Sequence, residues 1–587
     1  MSNLIIALTL SLTILSLGLL VNQKLICRYN KDNLSLNTID IVNCFFIGQI
    51  IFFSCYLLLS FFMINSTVSI LFLTLLLPLN IILIKLKFIW MMNKFNTIHL
   101  SILFFIFLIL LIASLAPPSD FDTVNYHLTL PKFYIENGSF FFRKSIIYDF
   151  FHPFHLSINL FFLSLKSTTG YQAYNIILLI LIVLQLNYIT KLFNLKKNVF
   201  YVSSIILILS KIISLSVLNN SQDLILIASI FLMIINFIIL KSNFNFKNQF
   251  FFIISVLTTI FIKHHGLIIS FFIFIFLFYE CYKQKKINNF LVISIIVSLF
   301  YIPYLIKNFY LVESLFPSIQ YIQSYNPNLV ESLINIPSKI IEIFILTPDK
   351  LISGPFILLF FFYGIFFDNN KNLKILYLIC LIYFFIWIFI FSYQIRYLLY
   401  LFPLYVFIAS KNFVHMLRKY VKLRFLFYLC LIVSLSFSIL NSSSTMIRKI
   451  PIVTNLINKK SYYKLYDHSM LLYEECNYIN ENILENETYI IFGLNSYFCN
   501  QKKNIRNVIN DQIYFFPDKL NKQRNINNSK INQAINKRLK FVIIKNNYRW
   551  DKYYTYRKVI DYTKTLKIKK HKLSNHFTLF EVLNFNK

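Results

Sequence analysis

Two aspartates, Asp120 and Asp122, stand in a polar stretch, PPSDFDTVNYHLTLPKFYIENG, between long apolar runs. A carboxylate can take a proton from an attacking hydroxyl, so either residue could act as a general base. Either could instead cap the following helix. The spacing of the apolar residues predicts one amphipathic helix over 122–136, with Gly138 as its stop signal. On this helix Tyr126 lies one turn after Asp122, and His127 follows. Because ionisable groups at a bilayer boundary are costly to keep, we interpret this stretch as the catalytic edge of a membrane enzyme.

Further polar groups stand at the ends of later apolar runs. The candidates for substrate contact are His152, Asp223, Lys263, His264, His265, Lys307, Asn308, Arg396 and Tyr397. Lys and Arg bind phosphate through charge-assisted hydrogen bonds, and a low dielectric strengthens that attraction. One or two carboxylates facing several cations are the parts needed to displace a lipid phosphate from an activated sugar.

Apolar runs long enough to cross a hydrocarbon core of about 30 Å position these groups. The 587-residue chain is 57% hydrophobic, and its pattern predicts a polytopic α-helical membrane protein with about 13–15 membrane helices. The predicted spans are 4–21, 41–64, 67–90, 99–116, 171–190, 198–218, 222–240, 248–262, 266–282, 290–309, 352–367, 375–393, 397–411 and 425–441. The stretch 154–165 is short enough for a juxtamembrane helix.

Lysine and arginine concentrate in alternate loops. By the positive-inside rule these loops are cytoplasmic, which puts the intervening loops, the N-terminus and everything after Leu440 outside. We expect an integral protein of the bacterial inner (plasma) membrane. The net charge of +33 comes from these loops and a basic tail. No segment resembles a nucleic-acid-binding module, so we predict contact with membrane lipids and no nucleic-acid partner.

The tail, 450–587, alternates helix and strand patterns typical of a small α/β domain. Helices are predicted at 463–482 and 531–538. Strands are predicted at 489–492 and 541–544, and a closing hairpin pairs 564–571 with 577–582. Cys476 and Cys499 are the cysteines of this tail, and outside the cell they could form a disulfide.

The motifs, taken in order, resemble a known family. FDTVNYHLTLPKFYIENG, followed by HPFHLSINLFFLSL, resembles the first outer loop of GT-C-fold glycosyltransferases. That group includes the protein O-mannosyltransferases and the aminoarabinose transferase of lipid A. Four further matches follow in order: SQD at 221–223, KHHG at 263–266, KNFYLVESLFP at 307–317 and RYLLYLFPLY at 396–405. In the third, Lys307 stands where the family signature has arginine. The resemblance covers roughly 99–411.

This resemblance implies inverting transfer of a sugar from a polyprenyl-phosphate donor to a glycan, lipid or protein acceptor. Asp122 aligns with the general base, and Asp223 with an acidic residue near the acceptor or a metal; Asp120 is a second candidate for that contact. A divalent metal is possible. The implied organisation has extra membrane helices in 1–98, a GT-C-like catalytic domain in 99–445 with its first outer loop at 117–153, and an extracytoplasmic α/β domain in 450–587.

Two other classes of protein stay open. An O-antigen-type polymerase or ligase would carry arginine-rich chemistry in a large late loop, whereas 310–351 contains no arginine. A lipid or glycan transporter often shows internal repeats and broken helices near the midplane. This sequence shows no repeat, and its polar groups stand at the outer boundary, so both classes fit less well than a transferase.

Overall fold

A computed structural model describes residues 2–23, 37–80, 97–120, 123–141, 153–312, 315, 354–368, 371–388, 395–457, 462, 473–484, 487–492, 498–500, 539–545, 568–571 and 577–583. These ranges form a helical bundle followed by a small mixed sheet. The helices are α1 (Ser2–Val21), α2 (Thr38–Ser60), α3 (Ser66–Leu76), α4 (Thr97–Ser114), α5 (Thr129–Asn137), α6 (Pro153–Ser164), α7 (Gly170–Leu192), α8 (Lys197–Leu209), α9 (Lys211–Leu218), α10 (Asp223–Ser242), α11 (Phe246–Ile262), α12 (His264–Lys283), α13 (Ile287–Val312), α14 (Gly354–Phe367), α15 (Lys371–Ile386), α16 (Phe402–Lys419), α17 (Arg424–Val453) and α18 (Tyr473–Asn482).

A helix covers all or part of every predicted span. Within the described ranges, eight helices are long and apolar enough to cross a membrane, or nine if the bent pair α8–α9 is one span. Four further apolar helices are shorter, including α6 at the predicted juxtamembrane stretch. The predicted polytopic helical architecture is confirmed.

The first two helices pack backbone to backbone. A Cβ on Gly18 would overlap the Cys44 carbonyl, and one on Gly48 would overlap that of Ile14. Small residues allow this approach, which membrane helices use because van der Waals packing drives their association. Deeper in the bundle, the amides of Asn43 and Asn236 bond each other across α2 and α10 (3.3 and 2.8 Å).

Three ion pairs join buried carboxylates to partly exposed lysines. Lys247 contacts Asp40 at 2.8 Å, and Lys241 contacts Glu280 at 2.7 Å. A third pair joins Lys411 to Asp368. All three lysines belong to loops that the charge pattern predicts to be cytoplasmic. Asp223 begins α10 and therefore lies at the end of that helix opposite to Lys241.

The tail contains a four-stranded sheet in the order β1-β2-β4-β3. Its strands are β1 (Thr488–Phe492), β2 (Leu539–Lys545), β3 (Ile568–His571) and β4 (Phe577–Val582). β1 and β2 pair in parallel, and β4 runs antiparallel to both β2 and β3. The predicted strands and closing hairpin are confirmed, while the predicted helix 531–538 lies outside the described residues.

The structure settles a question that the sequence left open, because the two cysteines of the tail form a disulfide. Cys476 of α18 is bonded to Cys499, with a Cα–Cα distance of 4.6 Å. Both cysteines are fully buried with Tyr489 and Phe541, whose strands form the centre of this small core. The disulfide therefore fixes the 498–500 segment to the helix that covers the sheet.

Candidate active site

The first loop begins with an aspartate that caps a turn. The Asp120 carboxylate accepts hydrogen bonds from the backbone N–H of Thr123 (3.1 Å) and from its hydroxyl (3.3 Å). These bonds satisfy donors at the start of a helical turn, so the capping role considered for Asp120 is confirmed. Asp122 lies outside the described residues.

The loop helix is divided rather than continuous. The sequence predicted one helix over 122–136, but a π turn (Thr123–His127) precedes α5. The Thr129 hydroxyl donates to the Val124 carbonyl (2.5 Å), which takes that carbonyl out of a regular helical ladder. Gly138 ends α5 with φ of +80°, as its position predicted. Its carbonyl accepts from the Ile64 N–H (2.7 Å), so the loop exit is attached to the turn after α2.

Two buried histidines join this loop to the bundle. His127 and His155 share a hydrogen bond of 3.1 Å between their ring nitrogens. His155 lies in the first turn of α6, a 12-residue helix that is too short to span a membrane. Burial lowers the pKa of His155 well below its usual value, and nearby His127 and Lys263 lower it further, against an opposing effect of Asp223. The direction of this pKa shift favours the neutral imidazole of His155.

A three-membered polar group lies beside these histidines. The Lys263 ammonium donates to the Asp223 carboxylate (3.0 Å) and to the Tyr400 hydroxyl (2.8 Å). Tyr400 in turn donates to the same carboxylate oxygen (2.9 Å). The Lys263 and Asp223 side chains are only 11% and 14% exposed, so both charges are largely removed from water and depend on each other.

Local backbone structure places each member of this group. Asp223 is the first residue of α10, where a carboxylate is favoured by the helix dipole. Lys263 stands in the extended break between α11 and α12. The break needs glycine three residues later, because a Cβ on Gly266 would overlap the Thr259 carbonyl. Tyr400 lies in the 3₁₀ turn Ile395–Leu401.

Aromatic rings surround the lysine. The Lys263 Nζ lies 5.1 Å from the ring centre of Tyr397 and 5.4 Å from that of Tyr400. The His265 ring packs against the Tyr397 ring at a tilt of 40°, with a centroid distance of 4.2 Å. Cation–π attraction strengthens in such a desolvated setting. The rings thus stabilise a cation at the boundary while leaving an apolar surface beside it.

The turn 219–222, which directly precedes Asp223, contacts both the first loop and α7. The Asn220 N–H donates to the Thr123 hydroxyl (3.2 Å), and its side-chain oxygen accepts from Gln172 (3.1 Å). Next to it, Tyr171 donates to the Ser221 carbonyl (3.2 Å). The structure therefore brings six predicted residues to one end of the bundle: Asp120, His127, Asp223, Lys263, His265 and Tyr397.

Two other predicted residues, Lys307 and Asn308, make contacts near the end of α13. The Lys307 Nζ lies 4.7 Å from the ring centre of Tyr304, and Asn308 donates to the Leu315 carbonyl (3.2 Å). Both contacts are local to the end of α13. His152 and the side chains of Tyr126, His264 and Arg396 lie outside what the structure describes.

Two residues that the sequence argument did not select belong to the same region. Tyr400 is the first; the resemblance of 396–405 contained it without assigning it a role. Lys449 is the second: it is 2% exposed and donates to the Leu218 carbonyl at the end of α9 (3.0 Å). Burial lowers its pKa to about 8, with Asp120 acting in the opposite direction. Because Lys449 follows the last apolar run, the sequence gives no sign that it differs from the other basic residues of the tail.

The sequence left a divalent metal open, and such an ion would need several ligand side chains grouped together. In the parts of the chain that the structure describes, no group of three or more His, Cys, Asp or Glu side chains is arranged to hold a metal ion.

The described ranges have the fold of a polytopic helical membrane protein with a small C-terminal α/β region. No protein-family model matches the sequence, and no curated protein does either. Among solved structures, ArnT from Cupriavidus metallidurans bound to undecaprenyl phosphate is similar, with a TM-score of 0.50 and 8% identity over 83% of this chain and 98% of that chain. The apo form of the same ArnT gives a TM-score of 0.45 and 8% identity over 82% and 97%. The predicted GT-C fold is confirmed.

Proposed function

We propose that this protein is a membrane glycosyltransferase that moves a sugar from a polyprenyl-phosphate donor to an acceptor. The ArnT structure of the same fold holds undecaprenyl phosphate. The sequence supports the same donor class, since its cations stand at the ends of apolar helices. A lipid phosphate can approach such a site with its chain still in the bilayer.

One observation carries the proposal: the Lys263 ammonium lies between Asp223 and Tyr400 at the boundary. An ammonium donates three hydrogen bonds, and two of those of Lys263 go to Asp223 and Tyr400. We assign the third to a phosphate oxygen of the donor. Asp223 then has two roles, because it orients the lysine and keeps its charge from being isolated before the donor binds.

We assign the general base to Asp122. It accepts the proton of the acceptor hydroxyl as that oxygen attacks the anomeric carbon, and the polyprenyl phosphate leaves from the opposite face with inversion. The support is the sequence resemblance, together with the fixed geometry of its described neighbours Asp120 and Thr123. Lys307 and Arg396 are assigned to the leaving phosphate on the same resemblance, and Tyr126 and His127 to positioning the substrates.

We place this chemistry on the outer face. The charge pattern of the loops supports that side. The disulfide Cys476–Cys499 supports it independently, because disulfides persist in oxidising compartments. The tail carrying this disulfide contacts the first loop, so loop and disulfide share one side of the membrane.

A reconstituted assay tests the proposal. Purified protein in lipid vesicles is given polyprenyl-phosphate sugars, and sugar transfer to envelope acceptors is followed by mass spectrometry. We expect Asp122→Asn to lower kcat by about 10²–10⁴-fold while undecaprenyl phosphate still binds. The matched control is Asp40→Asn at the opposite end of the bundle, which removes a carboxylate without touching the site.

Other results would contradict it. Transfer by Asp122→Asn at the wild-type rate would remove that residue as the base. Movement of the intact lipid-linked sugar across the vesicle membrane, with no transfer, would favour the transporter class instead.

A further inference from the structure

The first loop is held by the C-terminal tail as well as by the bundle. At its start, the Tyr462 hydroxyl donates to the Pro117 carbonyl (3.0 Å) and lies 3.3 Å from the Ser119 hydroxyl. Tyr462 itself is fully buried. Its ring packs with Ala116 and Val124, which are also buried. One tail residue thus bonds the loop entrance and packs against the π turn that follows.

A second tail segment contacts the loop further along. The Lys132 ammonium of α5 donates to the Cys499 carbonyl (2.9 Å). The same lysine pairs with Glu136 one turn later (3.7 Å). Burial lowers the pKa of Lys132, partly offset by Glu136. Phe498, the neighbour of Cys499, packs against the cluster formed by Ala116, Val124 and Tyr462.

The 498–500 segment is well fixed for such a contact. The disulfide attaches Cys499 to α18. Asn480 of α18 bonds it twice, donating to the Phe498 carbonyl (2.8 Å) and accepting from the Asn500 N–H (3.0 Å). Tyr489 of β1 donates to the Asn500 carbonyl (2.8 Å). The segment is therefore part of the α/β domain's framework, and movement of the domain would be transmitted to α5.

The bundle holds the same loop from the other side. Asn220 bonds the Thr123 hydroxyl, and the Phe140 N–H donates to the Ser60 carbonyl (2.7 Å). Without the tail, however, the loop entrance at 117–119 would lose its hydrogen bonds with Tyr462. Lys132 of α5 would lose its hydrogen bond to the Cys499 carbonyl. The loop would then be fixed at its inner edge and released at its outer edge.

From these contacts we propose that the C-terminal domain positions the first loop for catalysis, with Tyr462 and the Lys132–Cys499 contact as its positioning elements. The kinetic part rests on the proposed function; the ordering of the loop does not. The tail's role is then to keep the loop that carries the general base in place over the site. Binding of the acceptor by the tail is not required for this role.

Two variants test the proposal. Tyr462→Phe removes both hydroxyl contacts and keeps the ring, and Lys132→Met removes the ammonium and keeps the side-chain stem. The matched control for the first is Tyr56→Phe, since the buried Tyr56 hydroxyl also has two partners, Ser69 (2.7 Å) and Ser164 (3.1 Å). The control for the second is Lys540→Met, which breaks an ion pair with Glu581 inside the sheet (3.3 Å).

The first readout is hydrogen–deuterium exchange of peptides covering 123–138, which requires no activity. We expect both variants to exchange several-fold faster there than the wild type, and both controls to match it. The second readout is transfer kinetics: a misplaced loop should lower kcat by about tenfold or more while KM for the donor stays within about twofold.

The outcomes separate the two claims. Unchanged exchange over 123–138 in both variants overturns the positioning role, whatever the kinetics. If the variants exchange faster over 123–138 but the wild type transfers no sugar, the positioning role is confirmed and the proposed function is refuted. A selective rise in donor KM, with kcat unchanged, overturns the kinetic part because it indicates a binding role.

Discussion

The pair Asp223–Lys263 offers a test that separates structural from chemical roles. Lys263→Met removes the ammonium that contacts the Asp223 carboxylate at 3.0 Å, and Asp223→Asn removes the carboxylate charge that faces this ammonium. Both side chains are less than one-seventh exposed. Removing one partner of a buried pair costs about 3–5 kcal/mol. Since each side chain here keeps some exposure, we expect about 3 kcal/mol from the lower end of that range.

The double variant should behave differently. With both charges gone, no isolated charge stays buried, so stability should return close to that of the wild type. The free energies of unfolding of wild type, two single variants and double variant form a cycle, and we expect a coupling of about 2 kcal/mol, as for contacting residues. Sugar transfer should be lost in all three variants, because each lacks an oriented ammonium for the phosphate.

Thermal unfolding in detergent and transfer in vesicles are the two assays. The pair Asp40–Lys247 (2.8 Å) is the matched control, and we expect its cycle to change stability without changing transfer. Recovery of transfer together with stability in the Asp223–Lys263 double variant would refute our reasoning, since the pair would then be a structural element only. Wild-type donor affinity in Lys263→Met would refute the phosphate contact.

Two further predictions concern the surroundings of the site and the packing of the first helices. Because the pKa of Lys449 is lowered from 10.5 to about 8 in the folded protein, the unfolded chain binds more protons between these pH values, and the free energy of unfolding should rise with pH across that interval by about 3 kcal/mol. Thermal unfolding at about pH 8 and about pH 10 should show this rise in the wild type but not in Lys449→Met; equal pH dependence in both would contradict it. Gly48→Ala should destabilise the protein by at least about 1 kcal/mol, because its Cβ would overlap the Ile14 carbonyl and overpacking costs about 1–3 kcal/mol. Ser16→Ala on the same helix pair is its control, and equal melting temperatures for Gly48→Ala and that control would exclude the close approach.

Much of the fold was open to prediction from the sequence. Apolar runs and their length indicate membrane helices without reference to any partner, and a helix covers all or part of each one. Gly138 and the strands of the tail were predictable for a similar reason, since a left-handed cap and an alternating strand depend on a few neighbouring residues. The division of the loop helix at Leu128 was not predicted. It depends on the Thr129 hydroxyl bonding a backbone carbonyl, which amphipathic spacing does not report.

Some residues of the candidate site could also be predicted from the sequence. Polar residues at the ends of apolar runs pointed to Asp223 and Lys263, and both contribute to the group that the structure forms. The sequence named Asp122 through a family resemblance, and that assignment stays a prediction. Tyr400 and Lys449 were not selected, because each has an ordinary sequence context and becomes notable only through its burial.

The sequence by itself determined that this is a polytopic helical membrane protein, and it determined which loops carry positive charge. Those properties are sums over short segments, so no distant contact is needed to evaluate them. Only the tertiary structure decided which polar residues meet. Tyr400 bonds Asp223 from 177 positions away, and Lys449 reaches Leu218 from 231 positions away. Such contacts depend on how the helices pack and where each one breaks, and a single sequence carries no local signal for either.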